Sequence, residues 1–403
     1  MSERLLILAD DLTGSLDTGV QLAVKGYRVN VLVQNTGIPG DFNEDVLVIN
    51  TDSRHIESKD AYRIIYELAE QAKTVGFNRI YKKTDSGLRG NVGSELSALL
   101  EAAGEKTLSF VPAWPKMNRM TKDGIHYVNG LPLAESIFAK DVINPVKESR
   151  IDRLIHLQSD VKVSLNPENE EPEGIAVYDC SSEEEMERLA AKIFADSDKP
   201  LIAAGCAGLL EKYPACIKDR DVASIGEGLY SELLVLCGSM NEVSAKQLQF
   251  AQNKNAYRQH LPVSEILREQ WTEEDMEHFV NSFVHEAIEP VSIIDTMDDA
   301  VCEEDLKENA AERIAEYMGK IAAILIRQKI RKTMMIIGGD TLLGCVKALG
   351  IETLKPLKEM APGTVLAEYT NHEGTGYLIT KSGGFGDEEL LVSLQKKLEE
   401  KMI

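Results

Sequence analysis

Leu5-Leu6-Ile7-Leu8-Ala9-Asp10-Asp11-Leu12-Thr13-Gly14 starts with five apolar residues and stops on two carboxylates. A short apolar run ended so abruptly reads as a buried strand, and the spacing over 16–25 reads as the helix that follows it. Outward from this unit the pattern repeats. Strands are expected over 28–33, 46–50, 78–82 and 107–111, with helical stretches over 59–74 and 93–103. Within 59–74, Tyr62, Ile65, Tyr66 and Ala69 recur at three- and four-residue spacing and define one buried face. This βαβα order predicts a mainly parallel, doubly wound sheet with right-handed crossovers. Strands resume at 174–179 and 200–204, separated by a charged helix over 182–195, while the acidic, proline-bearing stretch 162–174 reads as a surface loop.

A chain of 403 residues exceeds one ordinary core, so two domains are expected. Gly226 and Gly228 interrupt the pattern before a new apolar run at 233–237, which divides the chain into 1–226 and 227–403. The second half repeats the habit, with strands at 233–237, 291–295, 333–337 and 376–380 and a long helix over 303–329. The fold class is therefore α/β: two domains, each a mainly parallel sheet flanked by helices, with the active site in a cleft between them.

The balance of 66 Asp+Glu against 44 Lys+Arg leaves a net charge of −22, which argues against nucleic-acid binding and against docking on anionic membranes. No apolar run approaches the ~20 residues that span a bilayer. The first apolar run is too short for a signal peptide, and the six scattered cysteines read as small buried or half-buried thiols, so cytoplasm is the expected compartment.

Against that acidic background, Tyr81-Lys82-Lys83-Thr84-Asp85-Ser86-Gly87-Leu88-Arg89-Gly90-Asn91 gathers three cations in one glycine-punctuated loop after a strand. Such a loop is suited to a small anion: Arg offers a fixed fork of donors and Lys a mobile point charge. A solvated basic turn is the bland alternative. Asp10 and Asp11 sit just past the first strand, with Asp17 further on, where ligands collect in open parallel sheets. Carboxylates there can accept substrate hydroxyls, act as base, or hold Mg²⁺. One of the adjacent pair can be a helix cap; two neighbouring acids call for a shared polar partner. Arg54, in Asn50-Thr51-Asp52-Ser53-Arg54, would point to the same crevice as Arg89.

Three further segments, Cys237-Gly238-Ser239-Met240-Asn241, Ile337-Gly338-Gly339-Asp340-Thr341 and Lys381-Ser382-Gly383-Gly384-Phe385-Gly386, each follow an apolar strand with small residues. Together they favour nucleotide binding, since glycines let backbone N–H groups approach a phosphate. Neither a Walker-type loop nor a dinucleotide fingerprint is present. His126, a lone histidine beside Tyr127, reads as structural, and the seven histidines lack zinc-ligand spacing.

These segments, in this order and over essentially the whole chain, resemble the four-carbon acid sugar kinases. The resemblance rests on Ala9-Asp10-Asp11-Leu12-Thr13-Gly14 with Asp17-Thr18-Gly19, on Lys82 to Gly93, and on Pro112-Ala113-Trp114-Pro115 with Arg119, Asp123-Gly124 and Tyr127-Val128-Asn129-Gly130. The C-terminal part of the match lies in the glycine segments around Gly338, Gly363 and Gly383. One departure is Gly87, which stands where that family usually has Thr; Met240-Asn241 also differs from its commoner Cys-Ser.

The resemblance implies an acid-sugar-binding and an ATP-binding domain, and transfer of the γ-phosphoryl group of ATP to a hydroxyl of threonate, erythronate or a 3-oxo-tetronate. It implies that Ser239, Gly338, Gly339, Asp340, Thr341 and Gly383 line the ATP site. The expected substrate-binding set is Asp10, Asp11, Arg54, Lys82, Lys83, Asp85 and Arg89, with Lys82 or Lys83 and Arg89 on the carboxylate. Asp11, Asp17 and Asp340 are the catalytic candidates, the choice between them open, as are the ligands of Mg²⁺. A sugar acid and ATP are the expected partners, with no nucleic acid or membrane and a homodimer as the assembly to test. The alternative is a non-catalytic sugar-acid sensor that retains the fold.

Overall fold

The structure is a computed structural model that describes residues 4–400 except 41, 142, 168–171, 196–199, 217–227, 269–270 and 298–309. The chain divides into two compact units, Met1–Arg220 and Asp221–Ile403. The boundary expected at 226/227 lies outside the described residues.

The N-terminal unit runs β1 (Leu5–Ala9), α1 (Leu12–Ala23), β2 (Val29–Leu32), β3 (Val46–Asn50), α2 (Ser58–Thr74), β4 (Arg79–Lys83), α3 (Val92–Ala103) and β5 (Thr107–Val111). It continues through β6 (Arg119–Lys122), β7 (Ile125–Val128), β8 (Leu131–Pro132), α4 (Ile151–His156), β9 (Val163–Leu165), β10 (Gly174–Val177), α5 (Glu183–Ile193), β11 (Leu201–Gly205) and α6 (Ala207–Leu210). The main sheet is parallel throughout, in the order β2-β3-β1-β4-β11-β5-β10-β9. The interior strand β1 is buried along its whole length because both faces are covered, which is why the sequence shows a continuous apolar run and no alternation.

Two features differ from the sequence reading. Helix α1 starts at Leu12, four residues ahead of the expected 16, because Asp11 adopts extended angles and its side chain accepts the Gly14 N–H as N-cap. The stretch 162–174 is not all loop: β9 pairs in parallel with β10, its residues half-buried at the sheet edge, where alternation is too short to see in the sequence. The segment after β5 folds as a separate antiparallel sheet, β6-β7-β8.

The C-terminal unit comprises β12 (Leu233–Cys237), α7 (Glu242–Asn253), β13 (Tyr257–His260), α8 (Val263–Arg268), α9 (Glu273–Glu286), β14 (Val291–Asp295) and α10 (Ala310–Arg327). Then come β15 (Thr333–Ile337), α11 (Gly339–Ala348), β16 (Thr353–Ala361), β17 (Thr364–Asn371), β18 (Gly374–Lys381) and α12 (Leu390–Glu399). Strands β13-β14-β12-β15-β18 are parallel, and β17 and β16 then add antiparallel to β18. Of the long helix expected over 303–329, Ala310–Arg327 is described and 303–309 lies outside. Its buried positions Ala315, Met318, Ile321, Ala322 and Leu325 keep the three- and four-residue spacing of one apolar face. Among the described residues no helix is long and apolar enough to cross a membrane.

Candidate functional site

In the N-terminal unit, β3, β1 and β4 are neighbours and end level, Ala9 pairing with both Asn50 and Lys83. The residues that follow each strand therefore emerge side by side at the carboxyl edge. The Thr51 N–H donates to Ala9 O at 2.8 Å and the Ser53 N–H to Asp10 O at 3.1 Å, fixing the β1 and β3 loops against each other.

Arg54 is the shared partner that the adjacent acids required. Its Nε donates to Asp10 Oδ2 at 2.6 Å, one terminal nitrogen lies 2.8 Å from Asp11 Oδ1, and Asp85 Oδ1 is 3.6 Å away. Arg89 grips Asp85 with two nearly parallel bonds, at 2.8 and 2.9 Å, and reaches Asp141 Oδ2 at 2.9 Å with its remaining nitrogen. Burial works to raise the Asp85 carboxyl, but Arg89 and Arg54 overcome it and hold the group well below the usual carboxylate range. Asp11 is likewise lowered, burial being outweighed by Arg54 and Lys83. Burial also opposes the charge on Arg54, yet Asp10, Asp11 and Asp85 together keep it firmly protonated. Leu88 holds φ at 53° in this loop, a left-handed backbone that costs energy for a branched side chain and that recurs at functional loops.

Lys82 and Lys83 part company. Successive strand residues face opposite sides of a sheet, so Lys82 turns to α3, where its fully buried ammonium pairs with Glu95 at 3.1 Å. Glu95 also accepts from Ser53 Oγ. Of the two lysines expected on a substrate carboxylate, Lys82 is thus paired inside the unit with Glu95, whose own carboxyl is pushed up by burial. Lys83 faces α1, and its Nζ approaches to 2.8 Å of where a side chain at Gly14 would begin. It lies close enough to Asp11 and Asp85 to lower both, yet makes no hydrogen bond or ion pair among the described residues. Asp17 sits half-buried on α1, one helix face along from the Asp11 cap. Asp10 keeps one oxygen, Oδ1, buried with no hydrogen-bond partner among the described residues.

Phe138, unnoticed in the sequence, underlies this edge. The Arg89 and Arg119 guanidinium groups lie 5.0 and 5.5 Å from its ring centre. A side chain at Gly87 would approach that ring to 2.6 Å, so the ring in this position requires glycine at 87. His126 is structural, as expected. Its Nε2 faces the Ser86 carbonyl at 3.1 Å, which can only accept, so Nε2 carries the proton and Nδ1 accepts from Thr121 Oγ1. Burial depresses the imidazole to about 4.

In the C-terminal unit the three glycine turns converge at the carboxyl edge of β12, β15 and β18. A side chain on Gly383 would collide with Ser239 Oγ, and one on Gly238 with Thr341 Oγ1. Gly338 holds φ at 110° and opens α11, whose first turn carries Gly339, the exposed Asp340 and the buried Thr341. Ser239 Oγ accepts from the Asn241 N–H at 3.3 Å, and Asn241 caps α7. Helix starts and tight backbone turns at one edge suit a polyphosphate. Among the described residues no group of three or more His, Cys, Asp or Glu side chains could hold a metal ion.

Residues that sequence reasoning missed are partners rather than motif members. Glu95 had a signal, a carboxylate on the apolar face of α3 between Val92 and Leu96; Asp141 and Phe138 had none.

A family model described as a sugar-binding N-terminal domain matches residues 5–213, and one described as a nucleotide-binding C-terminal domain matches 234–391. The chain is 31% identical to a D-threonate kinase of Salmonella typhimurium over 98% of its own length and 99% of the relative's. It is 26% identical to a D-erythronate kinase of Heliobacterium modesticaldum, covering 96% of this chain and 95% of that one. With a 3-oxo-tetronate kinase of Burkholderia multivorans the identity is 27% over 94% of each. Among solved structures, a Salmonella typhimurium protein described as a tRNA synthase superposes with a TM-score of 0.79 at 22% identity, covering 98% of this chain and 99% of that chain. A Haemophilus influenzae protein superposes with 0.70 at 21%, covering 98% and 100%. At such identities these two speak for the fold alone.

Proposed function

We propose, from the premise that the chain belongs to the four-carbon acid sugar kinase family, that it transfers the γ-phosphoryl group of ATP to a hydroxyl of a tetronate, with D-threonate the first to try. The observation that carries this reading is the end-to-end likeness to a D-threonate kinase. In it, residues 1–226 bind the sugar acid and 227–403 the nucleotide.

The geometry supports particular roles. Arg54 and Arg89 are each saturated by carboxylates, so they build the edge more than they await a ligand. Lys83 is the cation with capacity to spare among the described residues, and it takes the substrate carboxylate, with Arg89 holding Asp85 and the loop in place beside it. The buried, unpartnered Oδ1 of Asp10 is the oxygen with capacity left for a substrate hydroxyl, a neighbouring role falling to Asp85. Asp11 caps a helix and is held low by Arg54 and Lys83, which makes it a poor proton acceptor. Asp17 is then the group that orients the attacking hydroxyl. On the nucleotide side Ser239, Gly338, Gly339, Thr341 and Gly383 would cradle phosphates, and Asp340 would hold Mg²⁺, which would neutralise charge on the triphosphate. Phosphoryl transfer asks chiefly for alignment and charge neutralisation, and the cation of one edge and the backbone N–H groups of the other are groups suited to the second.

The test is ADP release from ATP with D-threonate, D-erythronate and 3-oxo-tetronates in turn. Turnover with one of them is expected. Tight binding of a tetronate with no turnover on any would replace the kinase by a sensor.

A further inference from the structure

Lys381 closes β18, and its side chain is fully buried, yet among the described residues it has no carboxylate within ion-pair distance. Its ammonium donates instead to two successive backbone carbonyls, Ser382 O at 2.9 Å and Gly383 O at 3.1 Å. A buried cation held only by neutral carbonyls is costly and calls for a reason.

Peptide planarity supplies one. In a trans peptide the C=O and the following N–H point in opposite directions. Drawing the carbonyls of Ser382 and Gly383 onto one ammonium therefore turns the N–H groups of Gly383 and Gly384 away from it. Among the described residues neither N–H donates a hydrogen bond. The second carbonyl is also held by Ser244 Oγ at 2.9 Å, which fixes the turn from the α7 side. Two adjacent outward amides backed by a buried positive charge form an anion-binding concavity. It lies against Ser239, whose Oγ occupies the space a side chain at Gly383 would need.

We propose that Lys381 is the positioning residue of a phosphate cradle formed by the Gly383 and Gly384 N–H groups, and that the cradle takes a polyphosphate oxygen of the nucleotide. This rests on the nucleotide reading of the C-terminal unit and adds to it the group that sets the turn. Burial lowers the ammonium to about 8, with the Cys237 thiol on β12 the titratable neighbour opposing that shift. The thiol itself is pushed up by burial to about 11. Of the residues that meet it directly, Ile337 pairs with Lys381 from β15, Thr364 from β17, and Ser244 faces the turn from α7, all uncharged, while the carboxylates nearest along the chain are Asp387, just past the turn, and Asp340, two residues beyond the Gly338 N–H that donates to Lys381 O.

The experiment measures ATP and adenosine affinity by calorimetry on the full chain, wild type and Lys381→Met and Lys381→Arg. Lys381→Met is expected to weaken ATP by about 10- to 100-fold, adenosine by less than about twofold, and Lys381→Arg to recover part of the loss. Equal weakening of ATP and adenosine, or none of either, overturns the cradle. Wild-type chain alone provides a second arm that does not depend on variant folding. Between pH 7 and 9 with Mg²⁺ in excess, which keeps the terminal phosphate fully ionised, ATP affinity should fall as the ammonium loses its proton, while adenosine affinity stays flat. A flat ATP profile overturns the proposal while leaving ATP binding intact. Wild type that binds no ATP removes the nucleotide reading and this inference together.

Discussion

At the carboxyl edge of the N-terminal sheet, Arg54 and Arg89 share Asp10, Asp11, Asp85 and Asp141, whereas at that of the C-terminal sheet Lys381 meets only the carbonyls of Ser382 and Gly383. The first edge is built from side-chain charges that neutralise each other; on the second such a pair, Arg258 with Asp295, stays at β13 and β14, and the glycine turns after β12, β15 and β18 present backbone dipoles beside one buried cation. The difference fits two kinds of ligand. A compact hydroxy acid offers a carboxylate and several hydroxyls, so recognition needs donors and acceptors interleaved within a few ångströms. A polyphosphate offers oxygens alone, and backbone N–H groups at turns and helix starts suffice.

The largest expected effect tests whether the charges of the N-terminal edge are structural in part. Glu95→Ala leaves the Lys82 ammonium buried without its partner and should cost about 3–5 kcal/mol of stability, read from denaturant unfolding. A loss near zero would mean that Lys82 is free to serve the ligand after all. His126 sharpens the same distinction through pH. Its imidazole titrates near 4 when folded and near 6.5 when unfolded, so the unfolded chain binds the extra proton between those values. Its contribution is complete above about pH 6.5 and lost as pH falls toward 4, amounting to about 3 kcal/mol. His126→Gln should flatten that part of the stability profile, and an unchanged slope would remove the assignment.

Two substitutions separate the edges in kinetics. Arg89→Ala should lower kcat/KM for the sugar acid by an amount worth about 2–4 kcal/mol while leaving the KM for ATP alone. Unchanged substrate kinetics would dissolve the anion-binding role of that loop. Asp340→Ala should lower turnover by about a hundredfold with sugar-acid affinity nearly intact. Should it instead abolish sugar-acid binding, the division between the two edges would be wrong.

The alternation of buried strands and one-faced helices was plain in the sequence because parallel strands covered on both faces must be continuously apolar, as 5–9 and 233–237 are. The hairpin strands β16 and β17 escaped notice since Lys355, Lys358, Glu359 and Glu368 populate their solvent side and mask the apolar alternation. Strand β13 ends in Arg258-Gln259-His260, too polar to stand out. At the site, motif residues were legible while their partners were not. Nothing in the local pattern says that Asp141 returns to Arg89 or that Phe138 fills the space left by Gly87, for both depend on how a long excursion folds back. Lys82 and Lys83 could have been told apart from strand parity alone, had the end of β4 been placed at 83 and not 82.

The most direct measurement is calorimetric titration of D-threonate and of ATP, separately, into the full chain and its Lys83→Met variant. The variant should lose D-threonate binding by about a hundredfold or more and keep its affinity for ATP. Undiminished D-threonate binding, or a loss confined to ATP, would contradict the assignment of the acid to the edge built by Asp10, Arg54, Lys83 and Asp85.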